Sequence, residues 1–273
     1  MMKTNAGDTM REKMAIKVPA AQAIGSLEGK VSPEEWQLRV DLAATYRLVA
    51  LHGWDDMIFT HISARVPGPE HHFLINPYGL LFDEITASSL VKIDVEGNKV
   101  QESPYPVNPA GFTIHSALHM NRDDAHCIIH LHTDDGVAVS AQADGLLPLD
   151  QHAMLIGGDL AYHDYEGVAL DLDERDRLVH DIGGKNVMIL RNHGTLAIGR
   201  SCADAFMRMY YLERSCTMQV RALGGGAKPN WPNQGVPEKT ADQGAAAFNG
   251  LIGALAWPAL LRKLDRVDPG YRH

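Results

Sequence analysis

Apolar residues recur along this chain with two different periods, and the switches between them mark out its elements. Leu38, Leu42, Tyr46, Val49 and Ala50 follow at helical spacing behind Ser32-Pro33-Glu34-Glu35. That start reads as a capping box with proline at the first helical position, and Gly53 supplies the stop. "MIFTHISARV", "HFLINP" and "LVKIDVEGNKV" read as strands, the last turning at Glu96-Gly97-Asn98. Asn108-Pro109 opens a second helix with Phe112, His115, Leu118 and His119 on neighbouring faces. "HCIIHLH" reads as a buried strand and "DGVAVSAQADG" as a helix ending at Gly145. "NVMIL" and "TLAIG" read as two short strands joined by Arg191-Asn192-His193-Gly194. Ser201 and Asp204 start a long helix whose Cys202, Phe206, Met209, Cys216 and Val220 trace an apolar seam, ended by glycines at 224–226.

Strands in adjacent groups, rather than in strict βαβ alternation, predict an α/β fold with a mixed, largely antiparallel sheet and helices on its faces. Residues 1–30 have no period and read as an N-terminal arm; 31–226 read as one domain. Residues 227–273 read as a Gly-, Pro- and Ala-rich linker followed by a helical extension around 247–266.

Composition narrows the function classes without choosing among them. The chain is 45% hydrophobic and 22% charged, the mix of a soluble globular protein, and its formal charge of -9 argues against a nucleic-acid or anionic-membrane surface. No continuous apolar core marks the first thirty residues as a secretory signal, and the apolar stretch Leu251–Leu261 is short and holds Pro258. Cys127, Cys202 and Cys216 are far apart in apolar segments, as reduced core thiols are, so a cytoplasmic location is expected.

The chemistry begins at His130 and His132. Two residues apart in a strand, their rings share one face. Spacing alone serves a hydrogen-bonded core pair and two-thirds of a metal site equally well. His193 offers the third imidazole, in a polar turn where a core histidine would be awkward, with Gly194 letting the backbone approach a ligand. Three neutral imidazoles suit Zn2+, or Mn2+ or Co2+, and leave positions open for substrate.

"CIIHLHT" followed by "ILRNHGTLAIG" resembles the class II aldolase/adducin-head family. The resemblance runs from about Trp36 to Leu223. "FTHISARV", "FLINPYGLLFDEITASSLVKID" and "AYHDYEG" place it nearer the adducin-like branch than the sugar-phosphate aldolases. It implies a three-layer α/β/α sandwich, a cyclic homotetramer with active sites between subunits, and metal ligands at His130, His132 and His193.

Where the sugar-phosphate aldolases hold a metal-binding, proton-transferring glutamate, this chain has Gly111, with His115 one turn on along the same helix. Their hydroxyl pair before that glutamate becomes Pro109-Ala110, and a glycine-asparagine pair becomes Thr60-His61. His61, Asn76, Gly79 and Gly111 are therefore the expected substrate contacts, with turn formation as the competing role for Asn76 and Gly79. His115 is the first catalytic candidate, against a core role. His152, where related aldolases carry an acid/base residue from a neighbouring subunit, and Tyr271 in the tail are the others. The basic tail residues Arg262, Lys263, Arg266 and Arg272 either cover the site or form a solvated helix end.

The expected function is a metal-dependent carbon–carbon lyase, acting by aldol cleavage or decarboxylation. Its substrate is a small non-phosphorylated hydroxy- or oxo-acid, and the metal stabilises the enolate left behind. The alternatives are an adducin-like scaffold without chemistry and a sugar-phosphate aldolase or epimerase. A small-molecule substrate and a homo-oligomer are expected, with no nucleic acid and no membrane.

Overall fold

A computed structural model describes residues 19–167, 173–226 and 228–273, with the backbone alone described at 22 and 109–113. Helix α1 (Pro33–Leu51) starts where the sequence places it. Ser32 Oγ accepts the Glu35 amide at 3.1 Å, but the Glu35 carboxylate does not complete the box; it accepts from Arg39 Nε at 2.9 Å and Lys92 Nζ at 2.8 Å.

Seven strands follow: β1 (His61–Arg65), β2 (Phe73–Ile75), β3 (Val91–Ile93), β4 (Cys127–Leu131), β5 (Leu160–His163), β6 (Val187–Leu190) and β7 (Gly194–Gly199). They form one sheet in the order β3-β2-β1-β4-β7-β6-β5. Every neighbouring pair is antiparallel except β5–β6. That exception follows from connectivity, because helix α5 (Glu174–Ile182) lies between the two strands in the chain and parallel neighbours need such a crossover.

Period-two alternation divides the core. On β4, Cys127, Ile129 and Leu131 pack with α1 and the long helix α6 (Cys202–Gly224), while Ile128 faces the other way, with Ile114, Ala117 and Leu118 of α2 (Pro109–Asn121) and with α5. Helices thus cover both faces, which makes the three-layer α/β/α sandwich. Each fully buried aliphatic side chain in it contributes about 1.5–3 kcal/mol.

Two expectations change. "DGVAVSAQADG" is helical only over α3 (Asp134–Ser140), and Gly145 then turns with φ 64°. The stretch expected as linker contains helix α7 (Val236–Ala247), packed on α4 (Gln151–Gly157). A Cβ at Gly244 would sit 1.9 Å from the Leu155 carbonyl oxygen. The small residues that look like a linker in sequence are what lets two helices touch at backbone distance. Helix α8 (Leu251–Val267) then returns to α1, where Trp257 Nε1 donates to Asp41 at 3.0 Å and Arg47 pairs with Asp268. Among the described residues no single helix is long and apolar enough to cross a membrane.

Candidate metal centre

Three adjacent strands assemble the site. His61 on β1 lies directly opposite His130 on β4, and β4 pairs in turn with β7, which begins just after His193. The β6–β7 turn is held by Asn192 at φ 55°, a left-handed conformation asparagine tolerates, and by the His193 amide donating to the Leu190 carbonyl at 3.1 Å. Gly194 serves a different purpose from the one expected. A Cβ there would lie 2.3 Å from the Leu131 carbonyl oxygen and 3.0 Å from the His132 ring, so the close approach is to β4, not to a ligand.

The rings of His130, His132 and His193 converge. Centroids are 4.7 Å apart for His130–His132 and 4.8 Å for each pair with His193, and one ring nitrogen from each lies within 4.8 Å of the others. Their tautomers follow from their outer partners. His130 Nδ1 is 3.0 Å from the Thr195 carbonyl and His132 Nδ1 is 3.3 Å from an Asp56 carboxylate oxygen. Both acceptors only accept, so both Nδ1 atoms carry the proton when the rings are neutral and both Nε2 atoms present lone pairs. Burial, first among the causes, holds His130 well below the ordinary imidazole range and His193 at about 4, which keeps those rings neutral. Yet His130 Nε2 and His132 Nε2 stand 3.0 Å apart. Two lone pairs at that distance repel unless a cation lies between them. The donor set fits a divalent ion, and the carbonyl behind His130 and the carboxylate behind His132 are the usual supports of a metal-ligating histidine.

A second row of imidazoles runs from this centre along the α2 face. His61 is 5.6 Å from His130 and 4.4 Å from His115, centroid to centroid. His115 Nδ1 is 2.6 Å from Ser63 Oγ, which is 2.7 Å from His119 Nε2, and His119 Nδ1 is 2.7 Å from the Ala125 carbonyl. The carbonyl anchors the direction of the chain. It accepts from His119 Nδ1–H, so His119 Nε2 accepts the Ser63 hydroxyl, and the Ser63 oxygen accepts from His115 Nδ1–H. His115 Nε2 is left with a lone pair, buried and without a partner in the protein; both ring nitrogens of His61 are in the same condition. Burial first, then the neighbouring imidazoles, keeps His115 neutral, and burial holds His61 and His119 at about 3.

The other candidate residues divide. Asn76 and Thr60 sit at the same end of the β1–β2 pair, each with one unpartnered buried polar atom, Asn76 Nδ2 and Thr60 Oγ1. Tyr46 ties that end together: its hydroxyl lies 2.5 Å from the Ile62 carbonyl and 3.1 Å from Asn76 Oδ1. Gly79 takes φ 105° in the following turn, which supports the turn-forming role. The contact expected of Gly111 lies outside the described side chains. His152 and Tyr271 are not brought to the imidazoles within one chain. His152 stacks on Tyr211 at 4.8 Å, and Tyr271 is buried with its hydroxyl on Asp265 at 2.8 Å. The tail packs against α1, and Arg272 pairs with the same aspartate, rather than closing over the histidines.

Glu213 lies in no motif of the sequence, and its carboxyl is fully buried beneath β4 and β7. A signal was present: a charged residue interrupts the apolar seam of α6 between Met209 and Cys216. Tyr46 holds an apolar helix position in the sequence pattern, which carries no sign of the work its hydroxyl does.

Known proteins fit this arrangement. The family described as Class II Aldolase and Adducin N-terminal domain matches residues 40–220. An aldolase class 2-like protein of Caulobacter vibrioides is 61% identical over 249 residues, covering 90% of this chain and 96% of that protein. Alpha-adducin of Mus musculus is 42% identical over 250 residues, 86% of this chain but 34% of the adducin. A crystal structure of an aldolase II superfamily protein from Pseudomonas syringae superposes with a TM-score of 0.86 at 52% identity, covering 91% of this chain and all of that one. The chain belongs to the class II aldolase and adducin N-terminal domain family.

Proposed function

We propose that this protein is a metal-dependent carbon–carbon lyase acting on a small non-phosphorylated hydroxy- or oxo-acid, by aldol cleavage or decarboxylation. The observation that supports it is the pairing of three convergent imidazoles with a second set of buried, unpartnered ring nitrogens beside them. Buried polar atoms without partners are costly, about 1–3 kcal/mol each, and a fold keeps them where a ligand completes them.

His130, His132 and His193 hold a divalent ion, Zn2+ in our reading, with Mn2+ or Co2+ as the other candidates. The bound ion supplies Lewis acidity, stabilising negative charge that develops on a substrate oxygen. The chain supplies the rest. His61 and Asn76 offer hydrogen bonds to the substrate's oxygens, few enough for a carboxylate and fewer than a phosphomonoester requires. His115 Nε2 accepts a proton or a hydroxyl hydrogen bond, in a tautomer fixed from behind by Ser63 and His119. That assignment gives proton handling a residue where the helix offers only Gly111 one turn earlier. Burial of the imidazole row keeps bulk water from the reacting atoms. His152 remains a candidate only as a group contributed by a neighbouring subunit, which the proposed homotetramer brings to the site; Tyr271, buried in its own chain with its hydroxyl on Asp265, does not.

The second reading, an adducin-like binding module, is favoured by the 42% identity to alpha-adducin. One experiment separates them. Metal-loaded protein is screened against small hydroxy- and oxo-acids for release of carbon dioxide or aldehyde, with sugar phosphates alongside. Turnover of an acid that falls about 100-fold or more in His115→Ala supports the lyase. Silence across the acids hands the protein to the scaffold reading, and cleavage of a sugar phosphate at ordinary rates overturns the substrate class.

A further inference from the structure

The face of the sheet turned away from the imidazole row is mainly apolar. Helix α6 carries Glu213 into it, 1% exposed, and burial pushes the carboxyl up to about 7. One carboxylate oxygen accepts the Thr195 hydroxyl at 2.5 Å, and the other accepts the Thr133 hydroxyl. Thr133 directly follows His132. Thr195 lies two residues after His193, and its carbonyl is the acceptor of His130 Nδ1 at 3.0 Å. A single carboxylate is thus bonded to two residues whose backbones bear on all three imidazoles.

The packing leaves Glu213 no latitude. A Cβ added at Gly136 would lie 2.6 Å from Thr133 Oγ1, 3.0 Å from Thr195 Cγ2 and 3.2 Å from a Glu213 carboxylate oxygen. The Thr133 hydroxyl also accepts the Gly136 amide at 3.0 Å, so its proton is committed to Glu213. The carboxyl carries a desolvation cost here and is the acceptor of both threonine hydroxyls. An apolar side chain of similar volume removes the desolvation penalty, and α6 already packs through Phe206, Met209, Leu212 and Cys216.

We propose that Glu213 is a positioning residue of the metal centre: its carboxylate, acting through Thr133 and Thr195, fixes the spacing of the β4 and β7 segments that present the three imidazoles. The proposal rests on the reading of those histidines as metal ligands. Supporting groups behind metal ligands commonly contribute about 10–100-fold in metal affinity, and Glu213 stands one layer further out, tying Thr195, whose carbonyl supports His130, to Thr133, which follows His132.

The test uses the full chain stripped of metal and titrated with cobalt(II) against a competing chelator. It reads the dissociation constant and the visible absorption band of bound cobalt, which reports ligand geometry. Glu213→Gln keeps the shape but presents an amide N–H2 to one of two hydroxyls that both need an acceptor. Thr195→Val keeps the charge and the backbone carbonyl but removes one tie. Each is expected to weaken cobalt binding about 10–100-fold and to shift the band, and the double variant is expected to lose no more than the worse single one. Loss in Thr195→Val separates positioning from simple charge attraction, which that variant leaves intact. Affinities within about twofold of wild type in both variants, with an unchanged band, overturn the proposal. If Glu213→Gln does not fold, Thr195→Val decides by the same criterion. A wild type that fails to bind cobalt, or a His132→Ala variant that binds it equally, fails the metal reading itself and this proposal with it. That failure is visible before the Glu213 comparison is made.

Discussion

The two faces of strands β1 and β4 are built from alternate residues of the same two segments and treat polar atoms in opposite ways. Toward α1 and α6, Ile62, Ala64, Cys127, Ile129 and Leu131 are sealed in a mainly apolar layer where the Glu213 carboxyl has a hydroxyl on each oxygen. Toward α2, the alternate residues His61, Ser63 and His130 begin a row of imidazoles that contains three unpartnered ring nitrogens. One face is finished by folding; the other is left chemically incomplete. On the proposed function, stability resides in the first and ligand recognition in the second, and a strand's period of two keeps them a single residue apart.

The sharpest way to break that division is to remove a convergent imidazole. His132→Ala should reduce metal content from about one ion per chain to background, measured by elemental analysis after dialysis, because two imidazoles alone do not complete a site. The converse change is on the finished face: Leu74→Ala, fully buried on β2, should cost about 2–5 kcal/mol in denaturant unfolding. Cobalt affinity should stay within about twofold. A smaller effect of opposite sign is expected on the incomplete face. His61→Leu removes two unsatisfied nitrogens and should stabilise the metal-free protein by about 1–3 kcal/mol while weakening substrate binding; a loss of stability would mean that His61 is structurally engaged after all.

The pH dependence of stability reports on the same imidazoles. His61 and His119 are held at about 3 and His193 at about 4, against an ordinary value of 6.5. These rings are neutral when folded and protonate readily when unfolded. Their stabilising contribution is therefore complete above about pH 6.5 and is lost as pH falls from there toward 4 and 3, by about 1.4 kcal/mol per pH unit for each ring. Urea unfolding of the metal-free protein at a series of pH values should show that slope, and His61→Leu should lower it by one ring's share.

Much of this was legible in the sequence because it is local. The His130–His132 pair follows from the period of a strand, and His193 stood out as a polar residue in a turn between apolar strands. The start of α1 and the run of α6 were marked by Ser32 and Ser201. What stayed hidden depends on residues far apart in the chain. The fit of Gly244 against Leu155 turns an apparent linker into a packed helix. Gly194 looked like a ligand-facing glycine until β4 was placed beside it. The proposed role of Glu213 requires knowing that Thr133, just past the end of β4, and Thr195 on β7, 62 residues apart by their numbers, meet the same carboxylate. Tautomers are out of reach of any sequence pattern, since they depend on carbonyls such as those of Ala125 and Thr195.

The pairing of β4 with β7 also has a kinetic consequence. His193 belongs to a hairpin, β6–β7, whose strands are joined by a three-residue turn and can form early. His130 meets that hairpin across a sequence separation of 65 residues, with the parallel β5–β6 crossover inside the closed loop. Such long-range closure comes late on a folding route. The cation-binding geometry therefore does not exist in the transition state if β4 docks after it. A bound ion should then lengthen the lifetime of the folded chain, slowing unfolding in stopped-flow experiments, while leaving the refolding rate nearly unchanged.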